Sequence, residues 1–276
     1  MSVDAGPGTS ARRGGVRALA AVAWVFGALV VLAQIVYSMT DPDERIFTTV
    51  ASVVAFAVAS VCDALARFGP RAAALLVAVA GGGGLLAETI GVHTGFPFGE
   101  YRYTGTLGLE VVGVPAVVPL AWVMMCWPAL LVGRALVARS GVDRPFWLVV
   151  GVGAWALASW DVFLDPQMVD AGHWVWTHPT PGLPGVGGVP LTNYAGWLLV
   201  AVLMMAALHR GVGQPRVSRE LDLRAGPAPM LYLWTYGSSV WAHAAFFGRP
   251  VVSLVAGVLM GLVALPFAVA LWRAHR

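Results

Sequence analysis

Hydrophobic positions dominate this chain in long runs, and polar positions are confined to the short stretches between them. Eight apolar runs lie near Val16–Met39, Ile46–Ala66, Ala72–Val92, Val111–Val137, Phe146–Leu164, Thr192–His209, Pro227–Phe247 and Val251–Trp272. Each approaches the roughly 20 residues that a helix needs to cross about 30 Å of hydrocarbon. The pattern predicts an all-α, polytopic transmembrane helix bundle of about eight spans. Residues 16–276 form its single domain, behind a disordered cytoplasmic tail over residues 1–15. The first run is too long for a signal-peptide core and is read as a retained span. No polar insertion is long enough to bury a second core.

Composition agrees with this reading. Hydrophobic residues make up 58% of the 276 and charged residues only 11%, too few charges to cover a soluble domain. Basic residues flanking the spans set orientation. There is no lysine, and alternating the ends gathers Arg12, Arg13, Arg17, Arg67, Arg71, Arg134, Arg139, Arg144, Arg210, Arg216, Arg219, Arg224, Arg273 and Arg276 on one side, with Arg45, Arg102 and Arg249 opposite. Both termini are therefore expected in the cytoplasm, in a multi-pass protein of the cell membrane. The basic balance does not point to nucleic acid, because the arginines punctuate spans instead of forming a stripe with stacking aromatics. Membrane lipid is the expected partner. Cys62 and Cys126 fall in different spans and form no CxxC pair, which fits packing residues and neither a disulfide nor zinc.

Two loops on the expected outer side are long and rich in glycine, proline and aromatics: His93–Glu110 and Asp165–Leu191. Between Gly172 and Pro190 the second holds five glycines and four prolines, which disfavours a continuous helix. Irregular backbone beside a membrane must be buried in protein or reach water, so these loops are expected either to fold over the helix ends as a lid or to serve as surface connections. Ionisable groups in the spans gather near the same side: Glu88, Asp161, Asp165 and His243, with Asn193 opening the sixth span. Burial of such groups in hydrocarbon is costly enough to suggest function. Asp63, near the other end, has Arg67 at i+4 and reads as a helix-end ion pair.

Asp161 and Asp165 share one helical face if the helix persists to Pro166. They would then titrate as a coupled pair that keeps a proton available. Asp161 has no simple structural excuse; Glu88 also suits a hydrogen-bonded structural carboxyl, and Asp165 a helix end. His93, His173 and His178 match no metal motif and read as solvated or loop-stabilising. Tyr101, Tyr103, Trp174 and Trp176 suit either an interfacial aromatic belt or the π-faced lining of a pocket for a greasy or cationic species.

The stretch ETIGVHTGFPFGEYRY, followed by LGLEVVGVPAVVPLAW, WDVFLDP, WVW and GVPLTNYAGW, resembles the membrane carotenoid biosynthesis proteins, which include bacterioruberin-type and γ-carotene hydratases. The resemblance covers roughly residues 84–200. Glu88, Pro97, Phe98, Gly99, Tyr101 and Tyr103 match a first block, Asp161, Asp165 and Pro166 a second, and Pro190, Asn193, Gly196 and Trp197 a third. Gly187 stands where the family pattern carries an aromatic residue. The resemblance implies addition of water to the terminal C1=C2 double bond of an acyclic carotenoid ψ end, without metal or other cofactor. It makes Glu88, Asp161 and Asp165 the catalytic candidates, with Asp161 or Glu88 as proton donor and Asp165 orienting water. Phe98, Tyr101, Tyr103, Trp174, Trp176, Asn193 and Trp197 become the substrate-binding candidates. A carotenoid substrate and contact with other enzymes of carotenoid biosynthesis follow as expected partners. A carotenoid cyclase begins with the same protonation. A membrane prenyltransferase would use the DxxxD form of DVFLD, and a transporter or assembly subunit would use the carboxyls to carry ions.

Overall fold

A computed structural model describes residues 7–41, 44–142, 146–213 and 219–276, with side chains from residue 14 onward. The helices are α1 (Pro7–Met39), α2 (Arg45–Phe68), α3 (Pro70–Leu76), α4 (Gly83–Thr94), α5 (Val117–Arg139), α6 (Phe146–Asp170), α7 (Leu191–Gly211), α8 (Ala228–Ala245) and α9 (Pro250–Ala274). A π-helical stretch, Val77–Gly82, joins α3 to α4, so Pro70–Thr94 forms one span. Among the described residues, seven helices are long and apolar enough to cross a membrane. The remaining expected span, α8, carries Trp234, Tyr236, Ser238, Ser239 and His243 and is less apolar. Helix α1 begins at Pro7, ahead of its expected border; residues 1–6 of the expected tail, and the side chains of Arg12, Arg13, Arg144 and Arg216, lie outside the description.

Helix α5 is the most enclosed of these seven, buried along most of its length. Its sequence is apolar all the way round, as suits a helix with protein on every side. A Cβ at Gly133 would lie 2.7 Å from the Val149 carbonyl oxygen, so this glycine lets α5 and α6 approach closely. Peripheral helices instead turn Leu29, Leu32, Leu254, Val258 and Leu262 outward, where lipid is the apolar solvent.

The expected fourth span began at Val111, but α5 begins at Val117. Glu110–Val111 (β2) pairs with Val114–Pro115 (β3) across a turn in which Val112 and Gly113 both have positive φ. The two long loops are also more regular than expected. Tyr101–Tyr103 (β1) runs antiparallel to Trp174–Trp176 (β4), in the register Tyr101↔Trp176, Arg102↔Val175, Tyr103↔Trp174. Strand residues alternate faces. Both tyrosines and both tryptophans therefore share one face of the ribbon, and Arg102 and Val175 are exposed on the other.

Candidate active site

Under the aromatic face of the ribbon, between α4, α5, α6 and α7, lies a cavity with about 720 Å³ of empty space, its mouth included. Its wall contains Glu88 and Asp165 together with Phe98, Tyr101, Tyr103, Trp174, Trp176, Asn193 and Trp197. Asp161 stands outside the wall, fully buried behind Asp165. Leu107, Val117, Ala121, Trp122, Met124, Leu164 and Met168 complete most of the apolar lining.

Helix α6 persists through Pro166 to Asp170, which satisfies the condition for Asp161 and Asp165 to share a face and removes Asp165 from the helix end. The Asn193 amide donates to Asp161 Oδ2 at 2.9 Å and also to Asp165 Oδ2. Trp174 Nε1 donates to Asp165 Oδ1 at 3.2 Å. Sharing one amide brings the two carboxyls side by side. Two ionised carboxylates only accept and repel each other, whereas a proton between them supplies a donor. Asp161 Oδ1 is buried without a hydrogen-bond partner, a deficit that a proton held by the pair would relieve.

Glu88, on α4, is buried and accepts three hydrogen bonds. Tyr101 Oη and Tyr103 Oη donate to Oε2 at 2.6 and 2.9 Å, and Trp122 Nε1 donates to Oε1 at 3.1 Å. Burial pushes both phenols well above the ordinary tyrosine range, and the charge of Glu88 pushes the same way, so they stay protonated donors. The aromatic rings hold one another. Tyr101 sits 5.6 Å from Tyr103 and 5.7 Å from Trp176, and Tyr103 makes an edge contact with Trp174 at 5.8 Å. Trp176 Nε1 donates to the Phe98 carbonyl at 3.0 Å. Trp197 stacks on Trp122 with centroids 4.0 Å apart.

Trp122 escaped the sequence reading because one more tryptophan in an apolar run carries no polar signal. A nearby clue is Gly84, where a Cβ would fall 2.6 Å from the Trp122 ring. The histidines lie apart from the cavity wall. His93 Nδ1 contacts the Thr89 carbonyl at 2.8 Å, His178 is exposed, and His173 Nδ1 contacts Thr106 Oγ1 at 2.8 Å, with burial lowering the His173 pKa. His243 is fully buried against Phe163 and Phe247. Among the described residues no three His, Cys, Asp or Glu side chains form a group that could hold a metal ion.

The Asp63–Arg67 pair lies at the other end of the bundle and does more than end a helix. Asp63 accepts from Arg67 Nε at 2.8 Å, Trp127 Nε1 at 2.8 Å and the Ala228 backbone N–H at 3.1 Å. Arg67 also donates to the carbonyls of Arg219, Asp222 and Gly226. Together they clamp the segment leading into α8 onto α2.

Comparison with known proteins agrees with this picture. Over 121 residues, 42% of this chain, the sequence is 35% identical to bisanhydrobacterioruberin hydratase of Haloarcula japonica. The match spans 39% of that relative's length. No solved structure matches the chain. Residues 46–264, which include every side chain of the cavity, match the model of the carotenoid biosynthesis protein family, and the chain belongs to that family.

Proposed function

We propose that this protein is a carotenoid hydratase of the cell membrane, a carbon–oxygen lyase by class, which adds water across the terminal C1=C2 double bond of an acyclic ψ end to give a tertiary alcohol. The observation that carries the reading is the convergence of two carboxyls bridged by one amide and a third, triply hydrogen-bonded carboxyl at one buried, aromatic cavity. The relative named as a hydratase supports it.

Hydration begins by protonating C2, which leaves a tertiary cation at C1. Asp165 is the member of the pair that borders the cavity, so it hands the proton over while Asp161 and Asn193 hold the pair in place. This reverses the expectation from sequence, in which Asp165 orients water. Glu88 accepts three hydrogen bonds and, with both phenols keeping their protons, turns the negative end of its carboxyl towards the cavity. It therefore lowers the energy of the developing cation. Aromatic faces contribute in the same sense. Water then adds to C1 and returns a proton to the carboxyl pair, so the atoms of alkene and water are all accounted for and the site is reset. The prenyltransferase reading is weakened by Arg102, the nearby cation a diphosphate would need, which is exposed on the outer face of the ribbon.

Expression in a lycopene-producing bacterial host, followed by liquid chromatography and mass spectrometry of the pigments, tests the proposal. The expected product is heavier by one water with an unchanged chromophore, and Glu88→Ala, Asp161→Ala and Asp165→Ala should each abolish it while the chain still inserts. Unchanged mass with a shifted spectrum would establish cyclisation instead. Full activity in all three variants would refute the assignment of the acids.

A further inference from the structure

A second cavity, with about 800 Å³ of empty space including its mouth, adjoins the first between α1, α2, α6 and α8. The two cavities share Thr49, Val53, Met124, Leu164 and Met168 in their walls. The second lining is the more polar. Beside aromatic residues of its own it gathers Gln34, Ser38, Ser52, Gln167, Ser238 and Ser239.

Polar groups inside a membrane protein are costly unless protein or water satisfies them. Ser38 Oγ donates to the Gln34 carbonyl at 3.1 Å, Ser238 Oγ to the Thr235 carbonyl at 3.4 Å, and Thr49 Oγ1 to the Arg45 carbonyl at 2.9 Å. Each hydroxyl spends its one proton on its own helix and keeps lone pairs that can accept. Ser52 Oγ accepts from Gln34 Nε2 at 3.3 Å, and Gln34 Oε1 accepts from Trp234 Nε1 at 2.8 Å. Such spare lone pairs can accept from a small donor such as water, and a hydrocarbon polyene has none to offer. The chamber extends to Tyr37 and Phe247, beside Arg45 at the ribbon end of α2.

We propose that this chamber binds water and feeds it through the wall at Thr49 to the candidate active site, an inference that rests on the hydratase reading. A carotenoid end filling the aromatic cavity shuts the route beneath the ribbon, whereas the chamber reaches the cavity from the side. Thr49 is the hydroxyl common to both walls.

Ser239→Leu fills the chamber from α8, and Thr49→Val removes the shared hydroxyl at nearly constant volume. Both variants are assayed in isolated membranes, after thermal unfolding has shown that they are folded, for kcat and KM with an acyclic carotenoid. A parallel assay in deuterium oxide measures deuterium in the recovered substrate. Protonation of C2 followed by loss of its original hydrogen to the carboxylate restores the alkene with deuterium at C2, and this return needs no attacking water. The expected result is a fall in kcat of about tenfold, some 1.4 kcal/mol of barrier, with KM little changed and deuterium incorporation retained. Wild-type kcat in both variants would overturn the proposal. So would a raised KM with kcat intact, which would make the chamber part of the carotenoid site, or parallel loss of hydration and exchange, which would mean disturbed acids. A wild-type chain that hydrates no acyclic carotenoid overturns the hydratase reading itself and takes the water route with it, a result distinct from either variant's behaviour.

Discussion

Asn193 offers the sharpest test of the carboxyl pair, because one amide group bonds to both acids. The side chain is 1% exposed, so bulk water cannot replace it. Asn193→Leu nearly preserves volume but removes the donor from Asp161 Oδ2 and from Asp165 Oδ2. A buried acceptor left without its donor costs about 1–3 kcal/mol. Two such losses amount to roughly 2–6 kcal/mol, less whatever the carboxyls recover by turning towards each other. If about 1.4–2.8 kcal/mol of this falls on the protonation step, the rate drops by about 10- to 100-fold. Asn193→Asp keeps the shape and adds a third acceptor where a donor stood, so it should fare no better. The assay is the initial rate of tertiary-alcohol formation in isolated membranes containing equal amounts of folded protein. Hydration by Asn193→Leu within about twofold of wild type would refute the bridge as part of the mechanism.

Gly84→Ala should lower thermal stability by about 1–3 kcal/mol through overpacking and pull Trp122 off Glu88, since the new Cβ meets the ring at 2.6 Å while Trp197 blocks retreat. A wild-type melting curve together with wild-type hydration would contradict this. Arg67→Met should destabilise by about 3–5 kcal/mol by leaving Asp63 buried without its partner, seen as a lower melting temperature in detergent, and Asp63→Asn in the same chain should restore part of the loss. Equal melting of single and double variants would count against the clamp. Tyr101 and Tyr103, raised by burial, should stay protonated where an exposed phenol titrates near pH ~10. Their contribution to stability is present below that pH and is lost as pH rises, because the unfolded chain ionises first. Absorbance at ~295 nm of wild type and the Tyr101→Phe, Tyr103→Phe double variant should therefore coincide up to the onset of alkaline unfolding, and a difference near pH ~10 would show solvent-reached phenols.

The helices were legible because a membrane imposes one length and one polarity on whatever crosses it. The same uniformity hid the finer borders. Val111 and Val114 are as apolar as the helix that follows, yet Val112 and Gly113 turn between them with positive φ and delay α5 to Val117. In α6 the opposite happened: Pro166 looked like a stop, but the helix runs through it to Asp170. Proline removes one backbone donor and crowds the preceding turn, which tertiary packing can override. The ribbon was written in the sequence as YRY and WVW, alternating in steps of two. Three residues are too short for that period to stand out, and the partners are separated by the whole of α5 and α6.

The candidate site shows why its polar members could be named and its architecture could not. A carboxyl or an amide in an apolar run is conspicuous on its own, so Glu88, Asp161, Asp165 and Asn193 could be named as candidates, the two aspartates as a pair on one helix. What joins them is contact between distant segments: α4 reaches the ribbon through Tyr101 and Tyr103, and α6 reaches α7 through Asn193. Every acid then draws its donors from aromatic or amide side chains on another element. Such donors hold a carboxyl in place without adding a fixed positive charge beside it. A lysine or arginine there would tie the acid into an ion pair and oppose a carbocation in the same cavity. The absence of lysine thus also suits the proposed hydration, which would make positive charge on the substrate.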